Sequence, residues 1–455
     1  MKKRLIADEL NEDPRIQEAK RLIVEAVHEH QNKLDGPLPP VEALTPSEDD
    51  FKRLSQLRGG NLFYRYLGSG IGKGSLVELI DGSVKLDFIT GIGVHCFGHS
   101  NLELLPTMIE SSYSDVVMQG NLQQNIETVE LSELLTRHSG LDICFLSTSG
   151  AMANENALKI LFQKQSPRSR LLAFDNNFMG RTIALSASSD RPQYRKGLPK
   201  SIDTDYIPFF DSERPEESTR EALSALKKIL ARYPNSHAAM SFELIQGEGG
   251  FKVGQREFYV ELMKVLKEHD IHIHVDEVQT FGRTQQLFAF QHFGLEEYVD
   301  VVSIGKLSQI CATLYRKEMI PGAGLLSQTF TSSTSAIRSA IFVLKQITEG
   351  GFYGPNGRNQ QINDRFQKNL ERIQKKHPGR LHGLFGVGAM IAFQIDEGDG
   401  KQALKFLHHL FDHGLLAFSA GSHPTRIRFL VPLLSVTDEE IDQAMDIVEK
   451  SLEVL

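Results

Sequence analysis

The sequence predicts an α/β protein with a large domain, built on a mostly parallel sheet, and a smaller α+β domain. Between about residues 95 and 310, short apolar runs alternate with amphipathic stretches. Strands that are apolar throughout are typical of a parallel sheet covered by helices on both faces. From about residue 359 onward, a few apolar runs are separated by long helical stretches. That pattern indicates antiparallel strands with helices on one side.

The elements of the large domain follow one another along the chain. Each apolar run has the length of a strand, and each segment between two runs has helical periodicity. The strand candidates are residues 143–146, 171–174, 238–245, 271–276 and 299–305, and helices are predicted at 152–163, 219–233 and 258–269.

The two ends of the chain carry further elements. Residues 14–30 predict an amphipathic helix, and residues 76–89 predict a hairpin around an Asp-Gly turn. A helix is predicted near the C-terminus, where Thr437 and Glu440 form a capping box. The predicted domains are an N-terminal segment at 1–78 that belongs with the small domain, a large domain at 79–330, and a C-terminal small domain at 331–455.

The composition excludes several classes of protein. A net charge of −8 and a pI of about 6.1 argue against nucleic acid or an anionic membrane as the main partner. No apolar run is long enough to span a bilayer. The three cysteines fit neither a zinc site nor a disulfide framework, which favours a reducing compartment and predicts a cytoplasmic protein. His272 and His274 share one face of a strand, but without a convincing third ligand we expect no metal site.

Ligands of open parallel sheets bind beyond the carboxyl ends of the strands, and three strands here are followed by suggestive loops. Small residues at 147–150 precede a helix, as in a phosphate site, although alone they are an ordinary capped turn. Phe178 and Arg181 can stack on a planar ring and bind a carboxylate, although alone they suit a core phenylalanine and a surface arginine. Glu248 lies in a glycine-rich loop that is otherwise a solvated turn.

Asp276 ends one further strand, and Lys306 follows another. A buried carboxylate needs a partner, and a protonated pyridine nitrogen is one candidate. A lysine at the inner end of a buried strand has a lowered pKa, which frees its amine for Schiff-base chemistry; a lone lysine more commonly reaches solvent. The five features together supply a phosphate site, a ring stack, a carboxylate for a ring nitrogen and an imine-forming amine. A pyridoxal 5′-phosphate site needs these parts.

The sequence resembles the class III (subgroup II) aminotransferases, which have the type I fold of pyridoxal-phosphate enzymes with a mostly parallel seven-stranded sheet. The resemblance runs from about residue 79 to the C-terminus. Its most specific segment is VDEVQTFGR at 275–283, continuing to Lys306. ELIQGEGG at 243–250, FMGRT at 178–182 and RFLVPL at 428–433 resemble three more blocks of the family.

The resemblance implies a role for each matched residue. Lys306 would form the Schiff base, and Asp276 would bind the ring nitrogen. The other implied cofactor contacts are Ser149, Gly150 and Ala151 at the phosphate, Phe178 on the ring, Gln279 near the ring hydroxyl, and Thr329 at the phosphate of the neighbouring subunit. The implied substrate contacts are Arg181 for the carboxylate of the donor, and Arg428, paired with Glu248, for an α-carboxylate. These roles imply a homodimer with shared active sites.

Within the family, GAMANENALK at 150–159 and KLSQIC at 306–311 are similar to L-lysine 6-aminotransferase. The sequence departs from the family at Met179, where a histidine is usual, and at residues 331–333, where Gly-Gly-Asn is usual. We therefore predict transfer of the terminal amine of an ω-amino or diamino acid, first of all L-lysine, to 2-oxoglutarate. The alternatives are 4-aminobutyrate, ornithine or acetylornithine as donor, an aminomutase, or a protein that binds the cofactor without turnover.

Overall fold

The computed structural model describes residues 4–118 and 120–454. The helices are α1 (Ile6–Asn11), α2 (Pro14–Gln31), α3 (Glu48–Arg58), α4 (Thr90–Gly93), α5 (Leu105–Ser112), α6 (Ile126–Ser139), α7 (Gly150–Lys164), α8 (Ile183–Ser188), α9 (Pro192–Arg195), α10 (Pro215–Arg232), α11 (Arg256–Glu268), α12 (Ala289–His292), α13 (Thr334–Glu349), α14 (Arg358–Lys376), α15 (Gly400–Asp412) and α16 (Asp438–Glu453). Of these, α4 is a single irregular turn. Short 3-10 helices lie at Glu42–Leu44, Lys306–Ser308 and Lys317–Met319.

The strands lie between these helices. They are β1 (Gly68–Lys73), β2 (Leu76–Leu79), β3 (Val84–Asp87), β4 (Val117–Met118), β5 (Ile143–Ser147), β6 (Arg170–Phe174), β7 (Asp203–Ile207), β8 (His237–Phe242), β9 (Ile245–Gln246), β10 (Lys252–Val253), β11 (His272–Glu277), β12 (Val301–Ile304), β13 (Cys311–Tyr315), β14 (Ser332–Ser333), β15 (Leu381–Phe385), β16 (Ile391–Ile395), β17 (Leu415–Leu416), β18 (Phe418–Ala420) and β19 (Arg426–Phe429).

A seven-stranded sheet forms the centre of the large domain, in the order β5-β13-β12-β11-β8-β6-β7. All strands run parallel except β13, which is antiparallel to both of its neighbours. All residues of β8 and β12 are buried, which explains why these strands are apolar almost throughout. The predicted α/β class with a mostly parallel sheet is confirmed.

The helix α7 is central to the position of the site because it packs across β5, β13, β12, β11 and β8. It begins where β5 ends, and the Ser149 side chain caps it by accepting a hydrogen bond from Met152 N. Its buried face includes Ala157, Leu158 and Leu161. The start of a helix thus lies at the carboxyl edge of the sheet, where ligands bind in this class of fold.

Several elements of the structure were not predicted from the sequence, among them β13, β7 and α13. Strand β13 begins only a few residues after the 3-10 turn at Lys306. In the sequence, this segment therefore resembles a loop rather than a turn followed by a strand in the opposite direction. Strand β7 is an edge strand with the sequence DTDYI, which lacks a continuous apolar run. Helix α13 packs against α5 and α6 and joins the large domain to the C-terminal part of the chain.

The C-terminal part of the chain forms an antiparallel sheet in the order β15-β16-β19-β18, with α14 and α15 packed against it and α16 packed on those two helices. Helix α16 has the predicted capping box between Thr437 and Glu440. A second sheet, β1-β2-β3-β17, joins the predicted hairpin to the C-terminal part, because β17 pairs in parallel with β3. The predicted boundary at residue 78 falls inside β2, and the division into domains stays a prediction.

Helix α2, which was predicted, is fixed to the body of the protein by the polar contacts of two of its side chains. Lys20 Nζ lies 2.7 Å from Glu110 Oε1, and Gln31 Nε2 donates to Gly72 O at 2.6 Å and to Ser100 O at 2.7 Å. Among the described residues, no helix combines the length and the apolar character that crossing a membrane requires. A cytoplasmic location stays a prediction.

Candidate active site

The carboxyl ends of the central strands open into one cavity of about 740 Å³. Its wall contains residues that follow β5, β6, β8, β11 and β12, together with an apolar rim from elsewhere in the chain. Of the residues predicted from the sequence, seven line it: Gly150, Ala151, Phe178, Arg181, Asp276, Gln279 and Lys306. Sequence positions more than 150 residues apart are thus brought together, as expected for ligand sites at the edge of a parallel sheet.

One end of the cavity is suited to an anion. The N–H groups of Gly150 and Ala151, in the first turn of α7, have no acceptor within residues 4–118 and 120–454. Ser147 Oγ is buried nearby and likewise has no hydrogen-bond partner in that part of the chain. A Cβ atom on Gly150 would lie 2.8 Å from Val278 Cγ1, so this position requires glycine. Free N–H groups and the positive end of a helix dipole together favour a phosphate.

Asp276 lies deep in the cavity. Its Oδ1 accepts from Val278 N at 2.8 Å and its Oδ2 from Asn154 Nδ2 at 2.7 Å. Burial raises the pKa of this carboxyl, while both donors oppose the shift. No cation forms an ion pair with it among the residues that the structure describes. A buried carboxylate in this state favours a ligand that brings a positive charge or a polarised N–H group.

Lys306 begins the 3-10 turn that follows β12, and its backbone has a positive φ of 54°. For a residue with a Cβ atom this left-handed conformation is strained by about 1–3 kcal/mol, and such strain tends to lie at functional sites. The described chain offers its Nζ atom neither a hydrogen bond nor an ion pair. Burial lowers the pKa of this amine, and the nearby Asp276 only partly opposes that effect. A lysine amine with a lowered pKa is a better nucleophile and proton acceptor at neutral pH.

Phe178 also lines the cavity, on a loop that buried side chains hold in place. Phe178 N donates to Glu243 Oε2 at 3.1 Å, and Gly247 N donates to Glu243 Oε1 at 2.9 Å. Burial, followed by the proximity of Asp276, raises the pKa of Glu243 to about 8. Glu243 therefore joins the loop that carries Phe178 to the loop that carries Glu248.

Glu248 and Arg428 form an ion pair, with Oε1 and Nη2 2.7 Å apart. The Arg428 side chain is fully buried, whereas the Glu248 side chain is 23% exposed. Arg428 Nη1 also lies 3.3 Å from Gln279 Oε1 and 3.4 Å from Gly247 O. The guanidinium thus lies directly behind Gln279, which is part of the cavity wall.

Arg181 occupies the opposite kind of environment. It is exposed at the cavity wall, and its guanidinium carbon lies 3.8 Å from the centre of the Tyr194 ring. The ring of Tyr194 also makes an edge contact with that of Phe178, with 6.2 Å between their centres. The two predicted substrate arginines therefore differ in depth, one buried beside a carboxylate and one at the surface over an aromatic ring.

Two of the predicted cofactor residues do not line the cavity of their own chain. Ser149 faces its helix as the cap of α7, and Thr329 is exposed. The neighbouring Phe330, Ser332 and Ser333 line the cavity in its place.

Sequence reasoning missed Asn154 and Glu243, although both left a signal. Glu243 is a carboxylate within an otherwise apolar run, and such a group has to find hydrogen bonds on burial. Asn154 lies four residues after the last residue of the predicted phosphate loop, on the helix that follows.

Residues 69–452 match the family model described as aminotransferase class-III. The chain belongs to the class III aminotransferases. It is 30% identical to acetylornithine aminotransferase of Caldanaerobacter subterraneus over 84% of this chain and 93% of that protein. Its identity to acetylornithine aminotransferase of Bacillus cereus is also 30%, over 83% and 93% of the two chains.

Solved structures share the fold of this aminotransferase. Lysine aminotransferase from M. tuberculosis superposes with a TM-score of 0.79 at 22% identity and covers 89% of this chain and 99% of its own. Ornithine aminotransferase from Toxoplasma gondii gives a TM-score of 0.75 at 23% identity, with 90% and 96% covered. The type I fold predicted from the sequence is confirmed. Membership of an enzyme family sets aside the alternative of a binding protein without turnover.

The class III aminotransferases use pyridoxal 5′-phosphate, and the cavity fits this cofactor. Its phosphate matches the free N–H groups of Gly150 and Ala151 at the start of α7. Its protonated ring nitrogen is a cationic partner for the buried Asp276 carboxylate, which forms no ion pair among the described residues, and its aldehyde matches the unpaired amine of Lys306. The cavity of about 740 Å³ leaves room for a substrate beside it.

Proposed function

We propose that the aminotransferase moves the terminal amino group of an ω-amino or diamino acid, with L-lysine as the first candidate, to 2-oxoglutarate. The observation that carries the proposal is the pair of arginines at different depths. Arg181 is an exposed cation that suits a carboxylate remote from the reacting amine. Arg428 is a buried cation that Glu248 neutralises, so an aliphatic donor chain does not meet an unpaired charge there.

The chain's own residues supply binding and proton transfer. Bound pyridoxal phosphate supplies an electron-accepting ring that stabilises negative charge at the reacting carbon. The carboxylate of Asp276 would hold a proton on the ring nitrogen, and Phe178 would supply an aromatic surface for the ring. Lys306 Nζ would take up the proton from the carbon that bears the donor amine and later give it back, acting as general base and then as general acid. Its lowered pKa favours the neutral form that this first step needs.

The two halves of the reaction place different charges in the same cavity. In the donor half, Arg181 holds the remote carboxylate, and Glu248 stays on Arg428. In the acceptor half, Glu248 moves aside, and Arg428 binds the carboxylate next to the carbonyl of 2-oxoglutarate. Because Glu248 is partly exposed and Arg428 is not, the carboxylate is the partner that can move.

Acetylornithine is the second candidate donor, because the two acetylornithine aminotransferases above are 30% identical to this chain over more than four-fifths of its length. Like lysine, it has a terminal amine and a remote carboxylate. The acylated α-nitrogen of acetylornithine has no charge, whereas the α-amine of lysine is positively charged. The two donors therefore require different groups in the cavity wall around that nitrogen.

A half-reaction screen tests the choice of donor. Purified holoenzyme is mixed with L-lysine, ornithine, 4-aminobutyrate or acetylornithine, and the visible absorbance of the cofactor is followed. The true donor bleaches the band rapidly, and 2-oxoglutarate restores it. L-lysine labelled with nitrogen-15 at the ε-amine should pass the label to glutamate. Transfer of label from the α-amine, or faster bleaching by acetylornithine than by lysine, rules out the lysine assignment.

We further propose a homodimer in which each subunit completes the cavity of the other. The cavity wall includes Phe330, which is 60% exposed, and Val117, which is 40% exposed, and exposed apolar side chains of this kind favour a protein partner. The adjacent Thr329 would reach the phosphate of the neighbouring subunit.

Mixed dimers test this arrangement. A Lys306→Ala subunit and a Thr329→Ala subunit together contain one complete site only if Thr329 acts across the interface. We expect mixing of the two impaired variants to restore activity. If mixing leaves activity at the level of the separate variants while light scattering shows mixed dimers, Thr329 does not act in trans.

A further inference from the structure

We infer that Asn154 is a positioning residue that holds the Asp276 carboxylate towards the ring nitrogen of the cofactor. The inference rests on the proposed role of Asp276 but does not depend on which amino donor is used. Neither the motifs of the sequence nor the chemistry described so far assigns a function to Asn154.

The geometry of Asn154 is that of a bridge. It is 1% exposed on the buried face of α7. Its Nδ2 atom donates to Asp276 Oδ2 at 2.7 Å and to Met179 O at 2.7 Å, so both of its N–H groups are used. The bond to Met179 O fixes the plane of the amide, and the bond to Asp276 then fixes one oxygen of the carboxylate. Asn154 reaches Asp276 from α7, whereas Val278 N belongs to the loop that follows β11.

The amide also faces the cavity. Asn154 lines the wall, and its Oδ1 atom is buried without a hydrogen-bond partner among the described residues. A buried polar atom without a partner costs about 1–3 kcal/mol, so this side chain is not explained by packing alone. The amide is oriented so that its Nδ2 atom donates to the carboxylate, and this orientation leaves its Oδ1 atom unpaired among the described residues.

Removal of this donor should change how the carboxylate meets the cofactor. In Asn154→Ala, Asp276 Oδ2 loses its side-chain donor, while Oδ1 keeps the bond from Val278 N at 2.8 Å. The carboxylate can then rotate away from the ring nitrogen. Burial already raises the pKa of Asp276, and Asn154 is one of the two hydrogen-bond donors that oppose this shift. The variant carboxyl is therefore easier to protonate, and a protonated carboxyl holds the ring proton less well.

The same helix offers a matched control. Asn156 is two residues further along α7 and is also 1% exposed, but it is not part of the cavity wall and its Nδ2 atom has no partner in the described chain. Asn156→Ala removes an equally buried amide from the same helix. It therefore reports what loss of a buried asparagine does to folding and to the phosphate end of the site.

The experiment compares two ligands: pyridoxal phosphate and its analogue with a C–H group in place of the ring nitrogen. Dissociation constants are measured for apoenzyme of wild type, Asn154→Ala, Asn154→Asp, Asn156→Ala and Asp276→Asn, after circular dichroism has shown that each is folded. We expect Asn154→Ala to weaken pyridoxal phosphate about 10–100-fold, as for loss of a hydrogen bond to a charged group. Affinity for the analogue should hardly change.

Each outcome supports or overturns the inference. Asn154→Asp keeps the size of the side chain but places a second carboxylate beside Asp276, so it should weaken pyridoxal phosphate at least as much. If Asn154→Ala weakens both ligands equally, or weakens neither, Asn154 does not act through the ring nitrogen.

Asp276→Asn distinguishes an error in the inference about Asn154 from an error in the proposed role of Asp276. That role requires Asp276→Asn to lose the preference for pyridoxal phosphate over the analogue. If the preference persists in Asp276→Asn, the role of Asp276 is wrong, whatever Asn154 does. A second readout is the pH dependence of the visible absorbance of the holoenzyme, which should shift in Asn154→Ala and stay unchanged in Asn156→Ala.

Discussion

Glu248→Ala should separate the two half-reactions of this aminotransferase. In the folded protein, the carboxylate lies 2.7 Å from Arg428 Nη2, and the guanidinium is fully buried. The variant leaves that cation with two weaker acceptors, Gln279 Oε1 at 3.3 Å and Gly247 O at 3.4 Å. An amino donor that places an aliphatic chain against this wall then meets an unneutralised charge.

The structure bounds the size of the effect. Removal of one partner from a buried ion pair typically costs about 3–5 kcal/mol. The Glu248 side chain is 23% exposed, so water can enter the space it leaves, and two acceptors remain. We therefore expect the free energy of unfolding to fall by less than that range, about 2–3 kcal/mol. An aliphatic donor chain excludes the water that relieves the unpaired cation in the free variant, so up to about the same amount is lost again when the donor reacts. At about 1.4 kcal/mol per factor of ten, the donor half-reaction should slow by up to roughly 30–150-fold.

Stopped-flow absorbance measures each half-reaction separately. For Glu248→Ala we expect a slower reaction with the ω-amino donor, and an unchanged or faster reaction with glutamate. Arg428→Ala should do the reverse, with 2-oxoglutarate and glutamate weakened most. Glu248→Gln keeps the size of the side chain without its charge and should fall between wild type and Glu248→Ala. Equal losses in both halves for Glu248→Ala and Arg428→Ala would show that the pair is a permanent structural link.

Four further predictions concern single residues of the site. Lys306→Ala should abolish turnover while keeping the fold, and reduction of wild type with borohydride followed by peptide mapping should label Lys306; a label on another lysine contradicts the assignment. Asp276→Asn should lower the rate by several orders of magnitude in steady-state assays with little change in melting temperature, and near-normal turnover would refute its role. Gly150→Ala places a Cβ atom 2.8 Å from Val278 Cγ1; it should destabilise the apoenzyme by about 1–3 kcal/mol in urea unfolding and weaken the cofactor, whereas unchanged affinity would show that the phosphate lies elsewhere. The pKa of Glu243 is raised to about 8, so between pH 4.5 and 8 the folded protein holds a proton that the unfolded chain has released, and the stability contributed by this group is lost as pH rises through that window. The stability of Glu243→Gln relative to wild type should therefore rise from pH 5 to pH 9. If the melting temperatures of the two proteins change in parallel with pH, the shift is contradicted.

The chemistry at the strand ends could be predicted from the sequence because it depends on local order. Asp276 and Lys306 each follow a run of apolar residues, and the carboxyl ends of parallel strands meet at one edge. Phe178, Gly150 and Ala151 follow from the same rule. The structure brings all of these residues to one cavity. The order of strands and helices in the sequence is enough to predict this, since it implies a parallel sheet whose strands end at one edge.

Other parts of the site depend on contacts that no local pattern encodes. The bridge from Asn154 to Asp276 joins residues on a helix and a strand that are distant in sequence, and nothing near Asn154 indicates its partner. Strand β13 was missed because its direction is set by the strands on either side, β12 and β5, rather than by its own five residues. Thr329 was predicted from the resemblance alone, and its side chain is exposed and lies outside the cavity wall.

The pairing of β3 with β17 has a consequence for the synthesis of the protein. Leu86 and Leu415, which face each other in this ladder, are about 330 residues apart in the chain. At about 5–20 residues per second, the ribosome finishes β17 roughly 20–60 seconds after the hairpin has emerged. The buried side chains of β2 and β3 must wait for that interval without their partner strand. The hairpin is therefore a segment of the nascent chain that stays without its partner strand for tens of seconds, and a chaperone can protect its apolar side chains during that time.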